Sequence, residues 1–389
     1  VNAQANRLAT GGRIDRGRLL AFSFNGRKLV GYKGDTLASA LLANAVSVVG
    51  RSFKYHRPRG IISSGAEEPN AIVQMGVGAE AVPNIRATQQ ELFYGLTAKS
   101  VNCWPSVDMD IGVINGLFSR LIPAGFYYKT FMWPPGLWMW YEKYIRKAAG
   151  LGMVPSGADP DSYDRYNAHC DVLVVGAGPT GLAAALEAAR AGSRVIIADE
   201  QSEMGGSLLS SSQTIDGVLG ADWVASSLHE LGQMESVRLL PRTTAFGYYD
   251  HNFLGLIERR TDHLPTGSSR QIRQRVWRVR AKQVVLTTGS IERPLVFSNN
   301  DKPGIMLATA VSCYINRYAV APGERAVVFT NNDSAYQTAL DLQRAGVEVA
   351  AVLDSRGKPP VECVRAVEEH HIQVIPGHVV VQADGKDKV

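Results

Sequence analysis

Three glycines and two acids, rather than any acid–base or nucleophilic set, are the residues whose types and spacing point to chemistry. They lie in Asp171-Val-Leu-Val-Val-Gly176-Ala177-Gly178-Pro179-Thr180-Gly181-Leu-Ala-Ala-Ala, followed by Val195-Ile-Ile-Ala-Asp199-Glu200. A run of β-branched residues and leucine opens into the glycine turn and then an alanine-rich stretch. The order spells strand, tight turn, helix, strand, the unit that binds a dinucleotide. Gly176 permits the sharp turn, Gly178 lets the backbone approach a pyrophosphate, and Gly181 lets helix and strand pack closely. Unpaired N–H groups at the helix N-terminus then face the phosphates. Asp199, roughly 20 residues on, stands where a carboxylate can accept the ribose hydroxyls. No Ser/His/Asp, Cys/His or paired-carboxylate arrangement can be read from spacing, so no catalytic residue is assigned.

The elements that must position this turn follow from the rest of the chain. With 389 residues, 45% hydrophobic and 20% charged, the chain has the length of two or three globular domains. A net charge of +5, from 41 basic and 36 acidic residues, is too mild to call for nucleic acid; an anionic cofactor is the simpler partner. Cys103, Cys170, Cys313 and Cys363 show no CxxC spacing, so no metal site or disulfide framework is expected and a reduced, cytoplasmic setting fits. No apolar run is long enough to span a bilayer, and no export signal or membrane anchor is seen.

The first seventeen residues read as a flexible or surface-draped arm. Leu19–Phe24, Asn25-Gly26 and Arg27–Tyr32 read as a hairpin on a two-residue turn, and Gly34-Asp35-Thr36 as supplying an N-cap for a short helix whose Leu37, Ala40, Leu41 and Asn44 share one side. Arg51 to Gly60 is the densest positive run. Three readings stay open for it: single-strand binding, a solvated loop, and contact with a flavin phosphate or with an acidic surface on a partner. From Phe126 to Tyr144 aromatic residues concentrate. Rings wedged between domains, a protein-docking surface and a membrane-surface belt are the three readings. Residues 155–169, polar and proline-bearing, read as the linker into the nucleotide domain.

Beyond Asp199-Glu200-Gln201, the glycine turn Met204-Gly205-Gly206-Ser207 places Gly206 and Ser207 beside the nucleotide. A helix at 221–231 and a third parallel strand at 237–240 lead to Thr244 and Ala245, at the edge where backbone meets adenine. Three strand-like runs at 245–250, 253–260 and 275–286 form a β-meander ahead of Leu286-Thr287-Thr288-Gly289-Ser290. This last element, with Thr288 and Gly289 at the crossing, resembles the "ATG" strand of oxidoreductases with two dinucleotide-binding domains. A second βαβ unit runs from Arg325 to Leu353. Its turn, Thr330-Asn-Asn-Asp333-Ser-Ala335, has side chains where glycines belong and a carboxylate that would repel pyrophosphate, so one dinucleotide is expected, at the first site. Asparagine capping that still admits nicotinamide is the alternative.

Several stretches together resemble the α subunits of bacterial heterotetrameric sarcosine oxidases. They are Gly34–Asn44, Gly50–Gly60, Pro123–Pro134, the Gly176–Gly181 turn, Arg242-Thr-Thr244, Glu292–Phe297 and Asn331–Tyr336. The resemblance implies a ferredoxin-like β-grasp module followed by a two-dinucleotide-binding, flavoprotein-type Rossmann pair, the second incomplete: an α/β and α+β chain. The corresponding division is 1–94 arm and β-grasp, 95–169 aromatic segment and linker, 170–294 first nucleotide domain with meander, and 295–389 second, degenerate nucleotide domain. It also implies NAD at the first site, where pattern alone favours FAD, through Thr180, Asp199, Glu200, Gln201, Ser207, Thr244 and Ala245. FAD would reside on a β subunit, FMN at the α/β boundary, with γ and δ subunits completing the complex. Such a complex demethylates sarcosine with oxygen, gives hydrogen peroxide, and passes the one-carbon unit to tetrahydrofolate. The loop Ile61–Ala71, which corresponds to the iron–sulfur loop of cysteine-bearing relatives, has no thiolate, so no cluster is expected. The chain begins without methionine and stops inside the second nucleotide unit, so a fragment is expected. A self-contained FAD-dependent NAD(P)H oxidoreductase, or part of an opine or amine dehydrogenase, is the alternative.

Overall fold

A computed structural model describes residues 4–121, 133–148, 152–265, 271–385 and 388–389. The chain divides into two compact units, residues 1–159 with 293–389, and residues 160–292.

In the first unit the expected hairpin forms from β1 (Asp15–Phe24) and β2 (Arg27–Lys33). Asn25 and Gly26 take φ of 51° and 78°, the left-handed pair such a turn requires. Thr36 caps α1 (Leu37–Ala43) through a reciprocal box, its hydroxyl accepting from Ser39 N while the Ser39 hydroxyl accepts from Thr36 N. The short ribbon β3 (Gly50–Arg51) and β4 (Pro58–Arg59) precedes β5 (Ile72–Met75), β6 (Val82–Arg86) and β7 (Thr97–Ser100). The sheet order β2-β1-β7-β5-β6, with β1 and β7 parallel, is the β-grasp arrangement. Further along the chain lies α2 (Trp138–Ala148).

The described part of the arm is anchored. Arg7 is tied to Asp35 by paired hydrogen bonds of 3.1 and 2.6 Å, and both side chains are almost wholly buried. Asp35 also accepts from Tyr32 N at 2.9 Å and the Ser39 hydroxyl at 2.7 Å. The 51–60 run is not a solvated loop. Arg57 and Arg59 both grip Asp301, Arg51 donates to the Val107 carbonyl, and buried His56 meets Asp110 at 2.5 Å.

The second unit starts earlier than the linker reading allowed. Strand β8 (Ser162–Val175) pairs in parallel with β15 (Ile272–Leu286) from Ser162 onward. Ion pairs from Arg273 to Asp161 and Arg275 to Asp164 hold that polar extension in the sheet. Between them lie α3 (Pro179–Arg190), β9 (Val195–Ala198), the ribbon β10 (Thr214–Ile215) and β11 (Val218–Leu219), α4 (Gly220–Gly232), β12 (Val237–Leu240), β13 (Thr243–Tyr249) and β14 (Phe253–Arg259). The sheet order is β12-β9-β8-β15-β14-β13, parallel through β15 and antiparallel in the meander. Its parallel core is apolar on both faces, with Val174, Ile197 and Leu182 on one side and Leu173, Ile196 and Leu256 on the other, as strands covered on both sides must be.

Residues 293–389 return to the first unit. There α5 (Ala308–Asn316) sends Ala310 and Tyr314 into the β-grasp core beside Phe22, Leu41 and Val73. The segments expected as first and last domains therefore share one apolar core. The remaining elements are β16 (Arg325–Thr330), α6 (Ser334–Arg344), β17 (Glu348–Asp354), α7 (Val361–Glu368) and β18 (Val374–Pro376), with the strands in one parallel sheet.

Of the aromatic run, residues 126–132 lie outside those described. In the described part Trp133, Trp140 and Tyr144 are exposed, and α2 starts only after Pro134 and Pro135. Among the described residues no helix is long and apolar enough to cross a membrane.

Candidate dinucleotide site

The turn from Gly176 to Gly181 lies beyond the carboxyl end of β8, where the chain goes to β9 on one side and β15 flanks the other. A crevice at such a switch point is where open α/β sheets bind ligands. Gly176 has φ of 99° and donates to the Ala198 carbonyl at 2.8 Å. A Cβ on Gly176 would lie 2.4 Å from the Thr287 carbonyl, and one on Gly181 would lie 1.9 Å from the Gly176 carbonyl. These two glycines serve protein packing. Gly178 differs: no protein atom lies within 4 Å of where its Cβ would stand. It is also the N-cap of α3, and no side chain caps that helix. An open backbone face and uncapped N–H groups thus coincide, the combination an anionic diphosphate needs.

The second strand end closes the site from the other side. One Asp199 carboxylate oxygen accepts from Ala177 N at 2.7 Å and the other from Gln201 N at 2.8 Å. Asp199 therefore braces the turn. Arg259 donates to the Glu200 carbonyl at 2.7 Å, and Arg242 N donates to the Gln201 carbonyl at 2.9 Å, fixing the loop that carries Glu200. Gly205 N donates to the Ala177 carbonyl at 2.8 Å. Gly206, with φ of 56°, stacks so closely that its Cβ would be 2.9 Å from Gly178 Cα. Ser207 and Thr180 are exposed at the rim.

The end of β15 supplies the third wall. Thr287 N donates to the Val175 carbonyl at 2.8 Å, and the Thr287 hydroxyl donates to the Gly176 carbonyl at 2.8 Å. Thr288 and Gly289 follow, exposed, with φ of 72° at Gly289. Thr244 and Ala245 are half-buried at the start of β13, joined to this end of the sheet through Thr243 N, which donates to the Asp199 carbonyl at 2.7 Å. Thr287, Gly205 and Arg259 were not singled out from sequence. For Thr287 the signal was present: a hydroxyl residue directly at the strand end, one place before the threonine that was chosen.

The turn of the second βαβ unit is cross-linked by its own side chains. Arg356 donates to Asp333 at 2.7 Å and to Asp354 at 2.7 Å, and the Tyr336 hydroxyl donates to Asp354 at 2.9 Å. Asn332 accepts from Ser334 N at 3.1 Å, occupying the helix start. These contacts hold the Asp354 carboxyl low and push the Tyr336 phenol up, Tyr336 chiefly through burial.

Three of the four cysteines are poor nucleophiles. Burial raises the Cys103 and Cys363 thiols and takes Cys170 up to about 11. A thiol so raised is protonated at neutral pH and weakly reactive. Because the folded value exceeds the free value of 9.0, the stabilisation from Cys170 is complete below pH 9 and is lost as pH rises toward 11. Native protein at pH 8 is expected to leave Cys170 unalkylated by iodoacetamide; rapid labelling there, read by peptide mass, would contradict this.

Residues 17–103 match a family model described as a 2Fe-2S iron-sulfur cluster binding domain, and residues 171–276 one described as an FAD dependent oxidoreductase. The chain is 56% identical over 351 residues to the alpha subunit of sarcosine oxidase from Rhizobium meliloti, covering 90% of this chain and 36% of that protein. To the corresponding subunit from Corynebacterium sp. strain P-1 it is 40% identical, covering 96% and 34%. The chain thus spans about a third of the length of these relatives. A subunit of opine oxidase from Agrobacterium tumefaciens is 30% identical over 49% of this chain and covers 37% of its own length. The L-proline dehydrogenase of P. horikoshii shares the fold with a TM-score of 0.59 at 20% identity, over 90% of this chain and 56% of its own. The likeness seen in the motifs is therefore one to sarcosine oxidase α subunits through nine tenths of the chain. The 2Fe-2S description does not fit the residues present: within 17–103 the sole cysteine is Cys103, and none lies in the 61–71 loop.

Proposed function

We propose that this chain, similar to sarcosine oxidase α subunits through most of its length, is the nucleotide-holding part of an amine-oxidising complex. The reaction is the oxidative demethylation of sarcosine to glycine with oxygen, giving hydrogen peroxide and passing the one-carbon unit to tetrahydrofolate. The site from Gly176 to Gly181 binds the diphosphate of NAD, with Asp199, Glu200 and Gln201 at the ribose, Gly206 and Ser207 at the rim, and Thr244 and Ala245 toward adenine. Thr288 and Gly289 flank the crossing. FAD and FMN belong to the complex, the first on a β subunit, the second at the α/β boundary, with γ and δ subunits as further partners. The exposed Trp133, Trp140 and Tyr144 suit an interface with such partners, where large rings dominate burial. Four cysteines that form no disulfide fit a cytoplasmic setting.

The observation that carries the reading is the bare Gly178 face beneath an uncapped helix. Mass spectrometry of nucleotide released from purified complex tests it, with one NAD per chain expected. The family model over residues 171–276 supports a second reading, FAD at the same turn, with the chain as a self-contained reductase. A yellow monomer that reduces dyes with NADH would select that reading. Two adenine nucleotides per chain would overturn the expectation of one dinucleotide.

Thr287→Val tests the third wall, because it keeps the shape and deletes the hydroxyl bond to the turn. Loss of about 1 kcal/mol from one hydrogen bond corresponds to a roughly five- to tenfold weaker Kd for the nucleotide. Calorimetric titration giving an unchanged Kd would remove Thr287 from the site.

A further inference from the structure

Residues 61–71, the loop that by resemblance corresponds to the iron–sulfur loop of cysteine-bearing relatives, are organised around a buried carboxylate. Glu68 is 1% exposed. One of its oxygens accepts from Ile62 N at 2.9 Å and Ser63 N at 2.7 Å, and the other from Asn70 N at 2.8 Å and Ala71 N at 3.0 Å. Four backbone donors, from both ends of an eleven-residue loop, converge on one side chain. Among the described residues no lysine or arginine pairs with that carboxylate: Arg86 donates to the Glu68 backbone carbonyl at 3.3 Å. The charge is met by peptide dipoles. The same loop is tied down by Tyr314, whose hydroxyl donates to the Ser63 carbonyl at 2.8 Å, and by Thr88, whose hydroxyl donates to the Gly65 carbonyl at 2.7 Å.

Converging backbone N–H groups form concavities for anions, and many iron–sulfur sites are of this kind. A cluster with its thiolates is itself an anion. We propose that residues 61–71 form an anion receptor of the iron–sulfur type in which the Glu68 carboxylate is the resident anion, standing where a cluster would supply negative charge. The receptor takes a small carboxylate as ligand when the side chain is removed, and carries no electrons. A neutral residue of the same shape does not suffice, since an amide group presents one acceptor oxygen and turns a donor toward two of the four N–H groups.

The test uses the full chain and thermal unfolding. Glu68→Gln and Glu68→Ala are each expected to lower Tm by about 10 °C, from several charge-assisted bonds lost together. Formate at about 0.1 M is expected to restore at least half of that loss in Glu68→Ala while shifting the parent chain and Glu68→Gln by no more than equimolar chloride does. If Glu68→Ala does not fold unaided, formate is expected to raise its refolding yield. A Glu68→Gln variant as stable as the parent, or a Glu68→Ala variant indifferent to formate, overturns the proposal. So does a two-iron absorption band acquired by the parent chain on incubation with iron and sulfide.

Discussion

Protein carrying Gly178→Val is expected to fold with close to the stability of the parent chain and to hold no dinucleotide. Gly178 has φ of −73° and ψ of −173°, extended backbone that any residue adopts, and no protein atom stands within 4 Å of its Cβ position. A Cβ there meets no atom beyond its chain neighbours and the helix's own first turn, so the fold loses only the modest N-cap preference for glycine over valine, while the side chain fills the space where a diphosphate would meet the backbone. The expected loss is at least 100-fold in Kd, roughly 3 kcal/mol. Gly181→Ala gives the opposite pattern, because its Cβ would be 1.9 Å from the Gly176 carbonyl and 2.8 Å from the Thr287 hydroxyl. Overpacking of that kind costs about 1–3 kcal/mol of stability. Thermal unfolding and nucleotide titration on the two variants separate the roles. Undiminished binding by Gly178→Val would end the assignment of the turn.

The second large effect lies in the other unit, in the N-terminal arm. Removing Arg7 strands the Asp35 carboxylate in the core, with Tyr32 N and the Ser39 hydroxyl as its remaining named donors. Breaking a buried pair by deleting one partner costs about 3–5 kcal/mol. Arg7→Ala is therefore expected to lower Tm by roughly 10 °C. Arg27→Ala is the control, since its pair with Asp108 is more than half exposed on both sides and such pairs contribute about 0–1 kcal/mol. Equal Tm values for the two variants would show that the arm is not anchored through Arg7.

Much of this was legible because local chemistry and fold agree. Asn25-Gly26 can make a tight hairpin turn, Thr36 with Ser39 can cap a helix, and glycines at 176, 178 and 181 admit one known geometry. What was hidden depends on partners distant in sequence. Nothing near Arg7 announces Asp35, and nothing near Arg57 announces Asp301, so the arm reads as flexible or surface-draped and a solvated loop stays among the three readings of the basic run. In residues 162–169 only Ala168 is buried, so the stretch carries no apolar alternation, and only pairing with β15, over 100 residues away, makes it strand. Asp199, read from its position as a ribose acceptor, also braces the turn, its two oxygens accepting from Ala177 N and Gln201 N. Tyr314 belongs by sequence to a nucleotide-type half and by packing to the β-grasp core.

The Arg356 lock on Asp333 and Asp354 bears on how heat takes the molecule apart. Ligand that binds only native protein stabilises by RT ln(1 + [L]/Kd), and only where it binds. The open turn lies wholly within residues 160–292, while the locked one lies in the other unit, held by its own ions. Calorimetry across rising nucleotide concentration would then show one melting event climbing while its companion stays fixed, so that the larger unit keeps its temperature limit however full the cell's nucleotide pool becomes.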